Sequence, residues 1–119
     1  MSHVITTLKD SAAFERELNC PLAVLILFMS PHCTACKEAV RHVAHTRERY
    51  KGRIKALIVD CSKTPRHLSV TRVPALLVHK DYALVQKIEG ILELNAAAID
   101  DVFERYALPF SASLSAQAT

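Results

Sequence analysis

The residues of this sequence best suited to chemistry are two cysteines two residues apart, in Cys33-Thr34-Ala35-Cys36. They follow a continuous apolar run and begin a segment with a helical pattern, which places them where a buried strand gives way to a helix. The first turn of a helix has unpaired N–H groups and the positive end of the helix dipole, and both favour a thiolate. We therefore predict that Cys33 attacks a disulfide as a nucleophile and that Cys36 resolves the mixed disulfide.

Metal binding and structural cross-linking are the alternatives for this cysteine pair. A structural zinc site usually needs four ligands, and His42 and His45 fall too far along the predicted helix to converge with Cys33 on one ion. We therefore expect no metal and no organic cofactor. Acidic residues precede the apolar run where an export signal would carry positive charge, so we expect a cytoplasmic protein, in which structural disulfides are rare.

Length, charge and hydropathy narrow the classes of partner. A chain of 119 residues predicts one domain, at residues 1–108, followed by a flexible tail at 109–119. The net charge of +3 comes from basic residues spread along the chain, which does not favour a nucleic-acid surface. The apolar run is far shorter than the roughly 20 residues that span a membrane. We expect a monomer that binds neither nucleic acid nor membrane.

The hydrophobic pattern predicts an α/β domain in the order α-β-α-β-α-β-β-α. Alternating strands and helices imply parallel crossovers, and the last two strands form an antiparallel pair. The third helix is short and polar, or only a turn. The predicted strands are residues 22–28, 54–59, 75–79 and 83–88, and the predicted helices begin at Asp10 or Ser11, at residue 33, near residue 65 and after Asn95.

Four segments, in this order, carry a resemblance to a known family. They are residues 28–37 with the cysteine pair and the following Lys37, residues 58–60, residues 73–78 around Pro74, and residues 89–91 around Gly90. This ordered set resembles thioredoxin from about Ser11 to Tyr106, and it identifies the chain as a divergent thioredoxin-like protein. The resemblance implies a mixed four- to five-stranded sheet flanked by helices.

The resemblance also implies a substrate groove beside the cysteines. It predicts a cis Val73–Pro74 peptide packed against them and backbone groups of Val73 that hydrogen-bond an extended substrate. The expected partners are a disulfide-containing protein substrate and a thiol reductant. The residues predicted to bind substrate are His32, Thr34, Ala35, Val73, Pro74 and Gly90.

Several positions depart from the family pattern. His32 stands where the family usually has Trp, and Thr34-Ala35 replaces Gly-Pro. Leu27 and Ala56 replace a buried acid and its neighbouring lysine, which help to move the proton of the resolving cysteine. Two hypotheses stay open: a thiol–disulfide oxidoreductase, or a non-catalytic binding or assembly module that uses the groove beside Pro74.

The remaining candidates have two interpretations each. His32, if protonated, would stabilise the Cys33 thiolate, or it is an exposed loop residue. Cys61, at the same sheet edge as Cys33, is either a regulatory thiol or a small, partly buried side chain. Asp60 is either a turn cap or a proton carrier. We assign no role to Cys20.

Overall fold

A computed structural model describes residues 6–64 and 69–109 of the chain. Within these residues the order of elements is α-β-α-β-β-β-α, and the predicted third helix near residue 65 lies outside them, as does residue 110 onward of the predicted tail. The helices are α1 (Ser11–Leu18), α2 (Cys36–Arg49) and α3 (Ala96–Tyr106), and the strands are β1 (Val24–Met29), β2 (Lys55–Asp60), β3 (Ala75–Lys80) and β4 (Ala83–Glu89). No helix in the described part of the chain is long and apolar enough to cross a membrane.

The sheet is mixed, with the strand order β2-β1-β3-β4 among the described residues. β1 pairs with β2 in parallel and with β3 antiparallel, and β3 and β4 form an antiparallel hairpin. The hairpin turns at Asp81 and Tyr82, whose φ angles of 53° and 69° are positive. The predicted mixed sheet is therefore confirmed, with four strands in the described range.

The position of β1 between two other strands explains why its sequence is apolar throughout. Side chains of β1 alternate between the two faces of the sheet, and both faces are covered. Leu25 and Leu27 belong to the hydrophobic cluster that contains residues of α2 and α3. Val24, Ile26 and Phe28 belong to the second cluster, which is packed against α1. All five are at most 1% exposed, so β1 is a rigid base for the loop that follows it.

Local capping signals set where two helices begin. The Asp10 side chain accepts a hydrogen bond from the Ala13 N–H at 2.8 Å, and the Asn95 side chain accepts one from the Ala98 N–H at 2.9 Å. Both residues satisfy backbone donors that a first helical turn leaves unpaired. The predicted starts of α1 and α3 are confirmed.

The predicted start of α2 at Cys33 is wrong by three residues, since the helix begins at Cys36. The intervening residues form turns in which the Cys33 N–H donates to Ser30 O and the Cys36 N–H lies 3.1 Å from Cys33 O. Such i→i+3 bonds are tighter than those of an α-helix, so the loop leads into α2 without belonging to it. Cys33 therefore lies on the loop and Cys36 on the first turn of the helix.

Candidate active site

Cys33 and Cys36 form a disulfide at the carboxyl end of β1. Their Cα atoms are 5.3 Å apart, which is within the usual range for a disulfide of about 4.4–6.8 Å. The Ser30-Pro31 dipeptide follows the end of β1, where proline lacks the N–H group that a continuing strand would donate. The pair is thus carried by a short turn between a buried strand and a helix.

The two cysteines differ in their exposure to solvent. Cys33 is half-buried, whereas Cys36 is only 1% exposed and packs under the first turn of α2. An incoming thiolate or disulfide can therefore reach Cys33 before Cys36. This asymmetry fits the predicted roles of Cys33 as nucleophile and Cys36 as resolving residue, which stay predictions.

The amino end of α2 faces the sulfur of Cys33. The Cys36 N–H donates to Cys33 Sγ at 3.1 Å. Ala35, which precedes the helix, makes no side-chain capping bond, so the sulfur occupies the place of a capping oxygen. A thiolate at this position gains both the hydrogen bond and the favourable helix dipole.

The loop before β3 lies across from the cysteines. The Val73–Pro74 peptide bond is cis, as the resemblance predicts. The Val73 carbonyl oxygen lies 4.0 Å from Cys33 Sγ, and the Gly90 N–H donates to Pro74 O at 2.9 Å. The structure therefore brings Cys33, Val73, Pro74 and Gly90 together at one edge of the sheet. Substrate binding by these residues stays a prediction.

The other predicted substrate-binding residues surround Cys33 along the chain. His32 and Thr34 are exposed, and Ala35 is half-buried at the entrance to α2. The His32 N–H donates to the Ser30 hydroxyl at 3.3 Å, which helps to fold the turn. His32 also lies close enough to Asp60 to favour the ionised form of that carboxyl.

Glu89, which the sequence reasoning did not single out, holds the Val73–Pro74 loop against β4. Its carboxylate accepts hydrogen bonds from the backbone N–H groups of Thr71 at 2.7 Å and Arg72 at 3.3 Å, and from the Thr71 hydroxyl at 3.1 Å. Burial opposes ionisation, but the hydrogen bonds from Thr71 and Arg72 and the nearby Lys87 outweigh it and lower the pKa of Glu89. The ionised side chain fixes the segment that faces Cys33.

Asp60 is a turn cap at the end of β2. It is 7% exposed, and its Oδ1 accepts hydrogen bonds from the Ser62 hydroxyl at 2.6 Å and the Ser62 N–H at 2.8 Å. These bonds, led by the one from the hydroxyl, lower the pKa of Asp60 despite its burial. The carboxylate is therefore held ionised, which favours its interpretation as a cap over that as a proton carrier.

Cys61 differs from Cys33 although both follow parallel strands at the same edge of the sheet. It is a free, half-buried thiol that packs against the second hydrophobic cluster, and Cys20 is likewise free and half-buried. Burial raises the pKa of the Cys61 thiol, and the adjacent Asp60 carboxylate raises it further. This environment is typical of a small packed residue.

The histidines do not assemble a metal site in the described residues. Within residues 6–64 and 69–109, no three His, Cys, Asp or Glu side chains are placed to hold a metal ion. His42 lies 2.7 Å from Asp100 through its Nε2 and links α2 to α3. His79 is 4% exposed and packs edge-on against Phe14.

A strand–turn–helix unit with a cysteine pair, facing a cis-proline loop on a four-stranded mixed sheet, defines a thioredoxin-type α/β protein. A family model for thioredoxin matches residues 4–102. The chain therefore belongs to the thioredoxin family, which supports an oxidoreductase role in general. The disulfide-bonded pair within this fold is suited to thiol–disulfide redox chemistry.

Solved thioredoxins share the fold at low sequence identity. Mitochondrial thioredoxin 3 from Saccharomyces cerevisiae, in its oxidised form, is 23% identical with a TM-score of 0.73, over 85% of this chain and 94% of that one. Plasmodium falciparum thioredoxin is 20% identical with a TM-score of 0.75, over 87% of this chain and 100% of that one. Malassezia sympodialis thioredoxin is 11% identical with a TM-score of 0.76, over 90% and 94%. Comparison with curated proteins gave no match.

Proposed function

We propose that the protein exchanges disulfides with protein substrates through Cys33 and Cys36. The observation that carries the proposal is the arrangement around Cys33 Sγ: it is reachable from solvent, it accepts the Cys36 N–H at 3.1 Å, and the Val73 carbonyl faces it. Cys33 Sγ is therefore next to both a group that stabilises a thiolate and a backbone carbonyl that an extended substrate could bond. The reaction uses no metal and no organic cofactor.

The exchange proceeds in two balanced steps. The Cys33 thiolate attacks one sulfur of the substrate disulfide, forms a mixed disulfide and releases the other substrate sulfur as a thiolate that takes up a proton. Cys36 then loses its proton and attacks Cys33, which releases the second substrate thiol and leaves the Cys33–Cys36 disulfide. Two electrons pass to the substrate, and a thiol reductant returns them to the pair. The substrate lies along Val73, Pro74 and Gly90, with His32, Thr34 and Ala35 at its flank.

We propose that the protein acts in the cytoplasm. A pair that must be returned to the dithiol for each turnover suits the cytoplasm, where thiol systems supply the electrons. We place the protein there, acting as a monomer, without nucleic-acid or membrane partners.

A redox titration with a trapping variant tests the proposal. The wild type is equilibrated in defined dithiothreitol or glutathione buffers, and its free thiols are alkylated and counted. A single two-electron transition that disappears in Cys33→Ser is the expected result. Cys36→Ser should then accumulate a mixed disulfide with a disulfide-containing peptide. If the Cys33–Cys36 disulfide and its dithiol form do not interconvert at any redox potential of the buffers, the proposal is wrong.

One observation favours a second candidate, a binding or assembly module. Leu27, where the family usually carries a buried acid, is 0% exposed, and Ala56 packs against the same hydrophobic cluster. Without a titratable group at these positions, Cys36 loses help in giving up its proton, which favours slow resolution. Tight, saturable binding of a reduced peptide along Pro74 with no disulfide turnover would identify this second function.

A further inference from the structure

A cavity opens beside the disulfide on the side of α2. Its volume is about 280 Å³, which suits a small molecule or one side chain. Both cysteines of the redox pair form part of its wall. It is lined by Met29, Ser30, Pro31, Cys33, Cys36, Lys37, Val40 and Arg41, and so it is separate from the groove along Val73, Pro74 and Gly90.

The charges at this cavity have one sign. Its lining within the described part of the chain contains the cations Lys37 and Arg41 and no acidic residue. Met29, Pro31 and Val40 supply an apolar floor. Lys37 and Arg41 are four residues apart on α2 and therefore lie on one face of the helix, above this floor.

Glu38 pairs with one cation of this cavity, whereas Asp60 and Glu89 have partners outside it. Glu38 bonds to Arg41 through Oε1 and Nη1 at 3.2 Å, and both side chains are more than two-thirds exposed at 79% and 69%. Such an exposed pair is weak and exchanges readily with a competing anion. Asp60 is held by Ser62, and Glu89 by Thr71 and Arg72. The cavity therefore presents two cations next to a disulfide, and one of them, Arg41, has only a weak exposed partner in Glu38.

We propose that this cavity binds the carboxylate end of a small anionic thiol that reduces the Cys33–Cys36 disulfide. This inference rests on the proposed redox function and names the chemical class of its reductant. The thiol's carboxylate lies at Lys37 and Arg41, and its short hydrocarbon chain covers the apolar floor. The thiolate is thereby held beside Cys33, the more accessible sulfur.

The reduction is balanced with two molecules of thiol. The first thiolate attacks Cys33 Sγ, forms a mixed disulfide and expels Cys36 as a thiolate, which takes up a proton. The second thiolate attacks the sulfur of the bound thiol and expels Cys33 as a thiolate, which leaves the small molecule as its disulfide. Two electrons enter the protein, and two thiols become one disulfide.

The test compares three small thiols of similar size and different charge. The oxidised protein is mixed with 3-mercaptopropionate, 2-mercaptoethanol or cysteamine at low ionic strength, and the loss of the disulfide is followed by acid quenching and alkylation. For each protein the rate with the anionic thiol is divided by the rate with the neutral thiol. This ratio cancels intrinsic differences in reactivity between variants.

Charge-removing variants give the expected pattern. Lys37→Gln and Arg41→Gln should each lower the ratio by about two- to fivefold, the effect of one exposed charge, and added salt should remove the difference. Glu38→Gln, which frees Arg41, should raise the ratio. The matched control is Lys51→Gln, two residues beyond the end of α2, beside a cavity of about 300 Å³ whose lining among the described residues contains no cysteine. It changes net charge equally and should leave the ratio unchanged.

The outcomes separate this inference from the proposed function. Equal ratios in wild type, Lys37→Gln and Arg41→Gln would overturn the anionic-thiol site while dithiothreitol still reduces the pair. A fall in Lys51→Gln as large as that in Arg41→Gln would also overturn it, because the effect would then reflect net charge alone. A disulfide that dithiothreitol does not reduce at all would overturn both.

Discussion

Cys33 and Cys61 both lie beyond the carboxyl ends of parallel strands, but their environments differ. Each follows the last residues of one of two paired parallel strands, so both lie at the same edge of the sheet. Cys33 faces the first turn of α2 and accepts the Cys36 N–H. Cys61 packs against hydrophobic side chains beside the Asp60 carboxylate. A sheet edge therefore collects candidate thiols, but the groups around each sulfur decide which thiol is suited to redox chemistry.

The first prediction removes each thiol in turn and has the largest expected effect. Cys33→Ser should abolish the reversible two-electron transition and all disulfide exchange, because the accessible sulfur of the pair is lost. Cys61→Ser should leave the transition in place. Thiol counting across dithiothreitol buffers measures both. If the transition were lost in Cys61→Ser and kept in Cys33→Ser, Cys61 and not Cys33 would be the redox-active thiol.

The second prediction concerns the Val73–Pro74 loop, which faces Cys33. The contacts described for Cys61 include no such loop. Glu89→Gln should lower the free energy of unfolding at pH 7 by about 1–2 kcal/mol, since charged acceptors make stronger hydrogen bonds than neutral ones. It should also slow exchange with a peptide disulfide, because the Val73–Pro74 loop loses its anchor to β4. Urea unfolding and exchange kinetics measure the two effects. Glu93→Gln, at an exposed carboxylate, is the control.

The pH dependence of this variant has a definite sign. The folded protein lowers the pKa of Glu89, so the unfolded chain takes up the proton more readily. The stabilisation is therefore complete above the ordinary glutamate pKa and is lost as pH falls through the lower, folded value. The stability difference between wild type and Glu89→Gln should shrink on acidification. A difference that grows below pH 4 would contradict this account of the Glu89 contacts.

The sequence was sufficient to predict the elements that position Cys33 and Cys36. The continuous apolar run is β1, buried on both faces, and the stripe of Ala39, Val40 and Val43 is the buried side of α2. The predicted start of α2 was wrong because residues 33–35 form turns with i→i+3 hydrogen bonds, whose backbone is close to that of a helix. Hydrophobic periodicity begins only at Cys36, which is the signal that would have placed the boundary correctly.

The contacts by which Glu89 holds the Val73–Pro74 loop could not be predicted in the same way. Glu89 and Thr71 are 18 residues apart, and a glutamate at the end of an edge strand has the pattern of a solvated charge. Only the pairing of β3 with β4 brings that carboxylate to the Thr71 and Arg72 N–H groups. The cis Val73–Pro74 bond was predicted from the family resemblance, because local sequence alone also allows a trans proline at a strand start.

The smallest expected effect tests how far the Asp60 carboxylate contributes to the raised pKa of Cys61. Asp60→Asn removes the neighbouring negative charge but keeps an oxygen that can accept both hydrogen bonds from Ser62. The pKa of Cys61 should fall towards its ordinary value only in part, because burial is the larger cause of its rise. Iodoacetamide should therefore alkylate Cys61 about two- to fivefold faster at pH 8 in Asp60→Asn than in wild type.

The alkylation of Cys20, a half-buried free thiol remote from this carboxylate in sequence, serves as the internal reference. An increase at Cys61 and not at Cys20 would show that the charge of Asp60 acts locally. An equal increase at both would mean that the substitution loosens the fold, and urea unfolding of Asp60→Asn would then show a matching loss of stability. Unchanged alkylation of Cys61 would leave burial as the whole cause, and the difference between Cys33 and Cys61 would then rest on the amino end of α2 and on packing alone.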